Sequence, residues 1–293
     1  MPRDTRRKFL KTGLAATALS ATGTLPLQAA RQTATDWITL GKSNVKVTRL
    51  AFGTGSFSGK IQRDLGQEGF TKLVRYAYDQ GIRFFETAES YSNMHQMLGV
   101  ALKGIPRDTY RIMTKITTHD DSNPQQKIDE LRKLANTDYF DIMLLHWQHT
   151  GSWPTDSVKW QDGILEAESR KAVLSRGASV HGLPALRQVS GFKWLDVAMI
   201  RVNHKGVRMD AEDYNTDGLG NVPEVVSHVQ QVRKAGMGII SMKLVGEGTF
   251  NREDRQAAMK FAFKNAGVDS VTVGYKNTAE IDEAIENLNF ALA

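Results

Sequence analysis

The 293-residue chain has no cysteine, which excludes disulfides, thiolate metal sites and cysteine nucleophiles. It has only seven prolines, and no stretch rich in glycine, serine or proline marks a linker between domains. No run of about twenty solidly apolar residues occurs, so a stable membrane anchor is not expected. An excess of one charge sign is also missing once the N-terminus is set apart. Residues 1–30 carry five basic side chains (Arg3, Arg6, Arg7, Lys8, Lys11) and one acid (Asp4), or +4 of the formal +6. The remainder holds 33 basic and 31 acidic residues. A balance near +2 gives no reason to expect nucleic acid or an anionic membrane as partner.

The first thirty residues read as a leader to be set aside before any reasoning about fold. Thr5-Arg6-Arg7-Lys8-Phe9-Leu10-Lys11 precedes a weakly apolar run from Gly13 to about Leu27, then Gln28-Ala29-Ala30. The paired arginines, the bulky apolar pair and the lysine resemble a twin-arginine export signal. A disordered basic tail is the plainer alternative. The expectation is an exported, periplasmic protein that engages the twin-arginine export machinery, cleaved near Ala29 or Ala30. Absence of cysteine suits folding before transport. Residues 35–293 are expected to form one domain.

From about residue 48, short apolar runs alternate with amphipathic stretches. Strands are expected at Thr48–Thr54, Arg83–Thr87, Arg111–Ile116, Asp141–Trp147, Ala178–Gly182, Val197–Asn203, Gly238–Val245 and Ser270–Tyr275. Helices are expected at 66–80, 93–104, 124–136, 155–175, 183–191, 222–236, 253–266 and 278–290. Eight such alternations imply a parallel sheet with helical crossovers, and eight is the count that closes a barrel. An open doubly wound sheet fits the same rhythm. Upstream, Trp37-Ile38-Thr39-Leu40 and Val45-Lys46-Val47 flank a turn near Lys42-Ser43-Asn44, which predicts an N-terminal β-hairpin plugging one end.

Three consecutive strands finish on chemistry-bearing groups. Phe84-Phe85-Glu86-Thr87-Ala88 is followed by Tyr91, the next ends in Thr114-Lys115, and the next in Leu144-Leu145-His146. In a barrel these ends converge. A phenol near pKa 10 is a weak acid until a neighbouring ammonium stabilises its phenolate, and a carboxylate can hold that ammonium. A histidine alongside can orient a carbonyl oxygen. Such a group suits carbonyl reduction, in which hydride reaches carbon and a proton reaches oxygen. Singly, each has a plainer role: Tyr91 packing on Phe84 or Phe85, Lys115 reaching solvent, His146 as a satisfied half-buried ring.

At these residues the sequence resembles the aldo-keto reductase superfamily. Val47-Thr48-Arg49-Leu50-Ala51-Phe52-Gly53-Thr54 is similar to its first strand. The run from Tyr76 to Tyr91, through Gly81-Ile82-Arg83-Phe84-Phe85-Glu86-Thr87-Ala88, is similar to its second. Leu98-Gly99, Ala101-Leu102, Thr114-Lys115 and Leu144-Leu145-His146 follow in the family's order, and Gly177-Ala178-Ser179-Val180-His181 stands at its G-V-S-N element. The resemblance spans about residues 38–288 and implies an α/β fold, a (β/α)8 TIM barrel. It maps a catalytic tetrad onto Glu86, Tyr91, Lys115 and His146. Glu86 departs from the family's aspartate by one methylene, a difference to which catalytic geometry is sensitive.

The resemblance also implies NADP, with NAD as the alternative, bound across the strand ends without a glycine fingerprint. Ser179, Asn203, Ser241 and the Leu244–Gly248 loop, including Gly246, would hold the nicotinamide and diphosphate. Gly274, Lys276 and Asn277 would reach the adenosine half. Glu280 falls where many members place an arginine, and Ala284 where they place an asparagine. Lys276 and Asn277 are equally at home in an ordinary solvated turn. Trp147, His149, Trp153 and Trp160 could stack on a sugar ring or an aromatic aldehyde, or Trp160 could pack its helix. The sequence runs out just after the last helix, so a relatively open pocket is expected. His119-Asp120-Asp121 and His146 with His149 do not make a ligand set, and no metal is expected. The expected function is NAD(P)H-dependent interconversion of a carbonyl (aldehyde, ketone or sugar) and its alcohol; the alternative is a non-catalytic nucleotide- or ligand-binding barrel.

Overall fold

Alternating side chains build a hairpin first: β1 (Trp37–Thr39) pairs antiparallel with β2 (Lys46–Thr48), Ile38 opposite Val47. The computed structural model describes residues 31–117, 121–214 and 218–293. The leader expectation, and His119 and Asp120, lie outside the described residues. Arg31–Ala293 forms one compact unit.

After the hairpin come β3 (Leu50–Gly53), α1 (Lys60–Arg63), α2 (Gly66–Asp79), β4 (Phe84–Glu86), α3 (Met94–Ala101) and β5 (Arg111–Thr117). Next are α4 (Pro124–Leu134), β6 (Ile142–Gln148), α5 (Trp153–Asp156), α6 (Val158–Ser169), β7 (Arg176–Val180), α7 (Leu183–Val189) and β8 (Val197–Arg201). The chain continues through α8 (Val222–Lys234), β9 (Gly238–Met242), α9 (Arg252–Lys260), β10 (Ser270–Gly274) and α10 (Thr278–Leu292). Strands β3 to β10 are all parallel to their neighbours and close a barrel through β10 and β3, with Val271 opposite Leu50. The open-sheet alternative is thereby excluded.

Two apolar layers hold the barrel. Outward-facing Leu50, Phe52, Ile112, Ile116, Met143 and Leu145 pack under the helices. Inward-facing Ala51, Phe84, Met113, Ile142, Leu144, Val197, Met199 and Ile240 fill the interior together with Leu40, Val45 and Val47 of the hairpin segment. The hairpin therefore plugs the N-terminal end of the barrel, as expected.

Several boundaries move for local reasons. β7 starts at Arg176, two residues before the expected Ala178, because Gly177 lies inside the strand and is not a turn. A Cβ there would stand 2.1 Å from the Val197 carbonyl oxygen. The helix expected over 155–175 is two: Ser157 (φ −104, ψ 12) separates α5 from α6. Lys171 at φ 59 then leads the chain out. Strand β9 stops at Met242, short of the expected Val245, where Lys243 turns left-handed at φ 57.

Candidate active site

The two-residue period of a strand fixes what lies above the interior apolar layer. Two residues beyond Phe84, Met113, Leu144 and Met199 stand Glu86, Lys115, His146 and Arg201, on the same inward faces and nearer the C-terminal ends. Ser179 shares this direction, because its neighbours Ala178 and Val180 pack outward. A ring of buried polar groups thus lies on the apolar floor. Active sites of this architecture are built at that end.

Tyr91 reaches the ring from the β4–α3 connection. The Lys115 ammonium donates to Tyr91 Oη at 3.2 Å and to the Thr87 carbonyl at 3.1 Å, and it forms a direct ion pair with Glu86 Oε1. Glu86 Oε2 accepts from the Thr54 N–H at 3.2 Å. The longer carboxylate therefore keeps hold of the lysine, helped by Gly53, whose missing Cβ would stand 3.2 Å from Glu86 Oε2. Glu89, the next carboxylate along this segment, accepts from the Thr117 N–H and pairs with Lys127. His146 meets the Tyr91 ring edge-to-face at 5.7 Å between centroids, with Ser90 Oγ 3.2 Å from its Nδ1. Tyr91 lies against Gly55, where a Cβ would come within 2.7 Å of Oη. Only glycine admits the phenol there.

Burial holds His146 well below the ordinary imidazole range, with Lys115 and Lys243 adding to the effect, so the ring is neutral at pH 7. Burial likewise lowers Lys115, partly offset by Glu86. The expectation that Lys115 makes the phenol more acidic is not met in the free protein. Burial, then the Glu86 and Glu247 carboxylates, hold Tyr91 well above the usual phenol range. Burial is the main reason, because it penalises the phenolate, and the Glu86 carboxylate beside Lys115 adds to it.

The expected cofactor residues divide. Ser179 faces the barrel interior, its Oγ 3.3 Å from His181 Nε2. Asn203 is buried and spends its amide on the scaffold: Nδ2 donates to the Val207 and Lys243 carbonyls and Oδ1 accepts from the Lys205 N–H. Ser241 lies on the outer face of β9, beside outward Ile239, and donates to the Val202 carbonyl. Leu244 is core. Gly246, Glu247 and Gly248 are three successive left-handed residues (φ 56, 54 and 88). Nothing lies within 4 Å of where a Gly248 Cβ would be. Gly274 lies against Ser56, and Lys276 is exposed. Asn277 caps α10, accepting from the Glu280 N–H, and Glu280 accepts from the Lys276 N–H. Ala284 is buried under α10.

Trp153 and Trp160 are buried in the core and leave the ligand-stacking role to others. Trp147 (φ 58) is 40% exposed and clusters with His149 and Tyr214. Among the described residues no group of three or more metal-ligating side chains occurs, and no helix is long and apolar enough to cross a membrane.

Sequence reasoning missed Lys243 and the pair Arg201–Asp210, and it named the Leu244–Gly248 loop without singling out Glu247. Lys243 ion-pairs with Glu247, which also takes Arg208 at 3.4 Å. Arg201 lies 3.6 Å from Asp210, whose carboxyl burial pushes up to about 6. The signal for Lys243 was present: like Lys115, it is a lysine closing an apolar strand. This rim fits a dinucleotide in its donor chemistry, with cations for a diphosphate and an open backbone at Gly248.

A model of the aldo/keto reductase family matches residues 49–257. An aldo-keto reductase of Mycolicibacterium smegmatis is 26% identical over 176 residues, 54% of this chain and 61% of that protein. The methylglyoxal reductase DkgB of Salmonella typhi is 28% identical over 141 residues, 47% of this chain and 50% of its own. The chain thus spans less than two thirds of the length of these curated relatives. The holo form of the aldo-keto reductase AKR11C1 from Bacillus halodurans superposes with a TM-score of 0.68 over 88% of this chain and 95% of that one. Its identity is 14%, and the likeness is one of fold.

Proposed function

The chain belongs to the aldo/keto reductase family, and from that premise we propose that it reduces a small carbonyl compound to its alcohol with a reduced nicotinamide dinucleotide. One observation carries the reading: Tyr91 Oη shares the Lys115 ammonium with Glu86 beside a neutral His146, on the barrel's C-terminal rim. When bound, the dinucleotide would supply the hydride that a carbonyl carbon needs. The protein does the rest. Tyr91 gives its proton to the carbonyl oxygen, and Lys115 steadies the resulting phenolate. Glu86 and the Thr87 carbonyl fix Lys115, and His146 orients the substrate oxygen. The high affinity of Tyr91 for its proton keeps the donor loaded at neutral pH.

NADP is preferred in this reading. Lys276 is exposed where a 2′-phosphate would be met, whereas the Glu280 carboxylate is engaged with the Lys276 N–H at the start of α10. The paired Arg6 and Arg7 support export as a folded protein to the periplasm. Replacing both by lysine is expected to leave precursor in the cytoplasm, and normal export of that variant refutes the proposal.

The test of function is consumption of NADPH by the purified chain with methylglyoxal, the substrate named for the Salmonella relative, and with a panel of aldehydes, ketones and aldoses. Carbonyl-dependent oxidation of NADPH is expected. Tight dinucleotide binding without turnover on any of them replaces this reading with the non-catalytic barrel, and loss of both removes the nucleotide altogether.

A further inference from the structure

Beside the Tyr91 group, and unused by it, a chain of buried polar contacts runs from β7 to β8 and the connection that follows β8. Asp210 Oδ1 accepts from the Gly182 N–H at 2.6 Å and lies 3.6 Å from Arg201 Nε. Arg201 points its Nη2 at His181 Nδ1, and His181 Nε2 lies 3.3 Å from Ser179 Oγ. Ser179 and Asp210 are fully buried and Arg201 is 8% exposed. His181 follows Ser179 by two residues and so continues the inward face of β7 toward the mouth.

The protonation of this chain follows from its donors. A guanidinium has only N–H groups and never accepts. His181 Nδ1 must therefore be the bare, accepting nitrogen, and the ring's one proton is on Nε2. Burial, then Arg201, hold this imidazole well below its usual range, which keeps it from taking a second proton. The Nε2–H then donates to Ser179 Oγ, so the serine is an acceptor in this contact. Its own hydroxyl proton has no acceptor among the described residues and must be given elsewhere.

We propose that His181 is a positioning residue: set as the Nε2–H tautomer by Arg201, it turns the Ser179 hydroxyl into a donor aimed at the carboxamide oxygen of the nicotinamide. The proposal rests on the reductase reading for its ligand, and on this chain's own contacts for the tautomer. Asp210 anchors the far end by holding Arg201. The same logic governs metal-bound histidines, where the partner of one ring nitrogen decides what the other does.

The experiment has two arms. In the first, two-dimensional ¹⁵N NMR of the free wild-type chain reads the tautomer of His181 at pH 7. The Nε2–H form is expected, and an Nδ1–H form or an imidazolium overturns the relay. In the second, binding of NADPH is compared with that of 2′,5′-ADP, which lacks the nicotinamide. His181→Leu is expected to weaken NADPH about tenfold, the size of one lost hydrogen bond, and to leave 2′,5′-ADP unchanged. His181→Gln, whose amide can accept from Arg201 and donate to Ser179, is expected to restore most of the loss. Equal weakening of both ligands, or of neither, overturns the positioning role. A wild-type chain that binds neither ligand overturns the reductase reading and the nicotinamide end of the relay, while the first arm still decides the Arg201–His181–Ser179 end.

Discussion

The two ends of the barrel handle buried charge in opposite ways. At the N-terminal end, Asp141 is enclosed by Arg107 at 2.7 Å, Arg111 at 3.3 Å and the Ile112 N–H at 2.8 Å. At the C-terminal end, Glu86, Glu247 and Asp210 each hold a lysine or arginine that also faces something else. Near the C-terminal rim the Thr54 and Thr87 hydroxyls and Asp210 Oδ2 are buried without a partner among the described residues. The N-terminal end has such groups too, Arg49 Nε and Arg176 Nε among them. The contrast therefore lies in the acids: both oxygens of Asp141 are engaged, and Asp210 keeps one unspent. Incomplete satisfaction costs stability, and a protein tolerates it where binding needs the unspent groups.

The sharpest way to break this comparison is at Tyr91. Tyr91→Phe is expected to lower turnover by roughly 10²- to 10⁴-fold, the contribution of a positioned acid, with NADPH affinity within about twofold of wild type. Single-turnover kinetics with a reducible carbonyl and fluorescence titration check both. Wild-type turnover in the variant removes the phenol from the chemistry.

Next come the two buried carboxylates. Asp141→Ala strips a buried partner from two arginines and is expected to cost about 3 kcal/mol or more, read as a fall in the urea midpoint. Turnover per folded molecule should hardly change. Glu86→Gln leaves the buried Lys115 ammonium without its countercharge and is also expected to cost about 3 kcal/mol or more, but here catalysis is impaired as well. Glu86→Asp should keep much of the activity. Equal falls in turnover per folded molecule at Asp141 and Glu86 abolish the distinction between the ends.

The histidines extend the comparison to pH. Burial, then Lys115, lower His95 to about 4, with its Nε2 2.7 Å from Thr114 Oγ1. Above about pH 6.5 the group is neutral in both states. As pH falls below that value, the unfolded chain takes up a proton that the folded one refuses until about 4. Stability present above 6.5 is therefore lost across that window, by up to about 3 kcal/mol for this residue. His146 and His181 are shifted the same way. Urea midpoints of wild type and His95→Gln between pH 7 and 4.5 check the slope, which should be shallower in the variant.

The smallest effect is expected at the adenosine side. Glu280→Arg removes the carboxylate that accepts from the Lys276 N–H, a loss of about 1 kcal/mol or less. It should tighten NADP a few-fold without helping NAD. An unchanged ratio of the two dissociation constants places Glu280 away from the ribose.

Much of this contrast could be read in the sequence, and the part that could not has a physical reason. Phe84 to Glu86, Leu144 to His146 and the apolar run ending at Lys115 are local patterns, and a two-residue period carries them to one face without knowledge of neighbours. The hairpin was legible in the same way, from two short alternating runs around a turn. Ser241 was misplaced because its outward face depends on which of two alternating sets packs inside. The start of β7 was set two residues late because glycine's use at a close approach, here Gly177 against Val197, depends on a residue twenty positions on. The His181 relay depends on Arg201 and Asp210, brought together only when separate strands close. Trp153 gave no sign of its burial, and for Trp160 packing under its helix was one of two readings, since an aromatic on a loop and one beneath a helix are the same letter.

The seam between β10 and β3 has a consequence in time. Leu50 and Val271 lie at opposite extremes of synthesis, so no ring exists until the last strand has left the ribosome. At roughly 5–20 residues per second, about 11 to 44 seconds pass between the first barrel strand and its final neighbour. During that wait β3 offers an unpaired parallel edge, a template for unwanted pairing. The export leader, on the proposed reading, is finished before either. A carrier that accepts only folded cargo must ignore an address already displayed until the ring has shut.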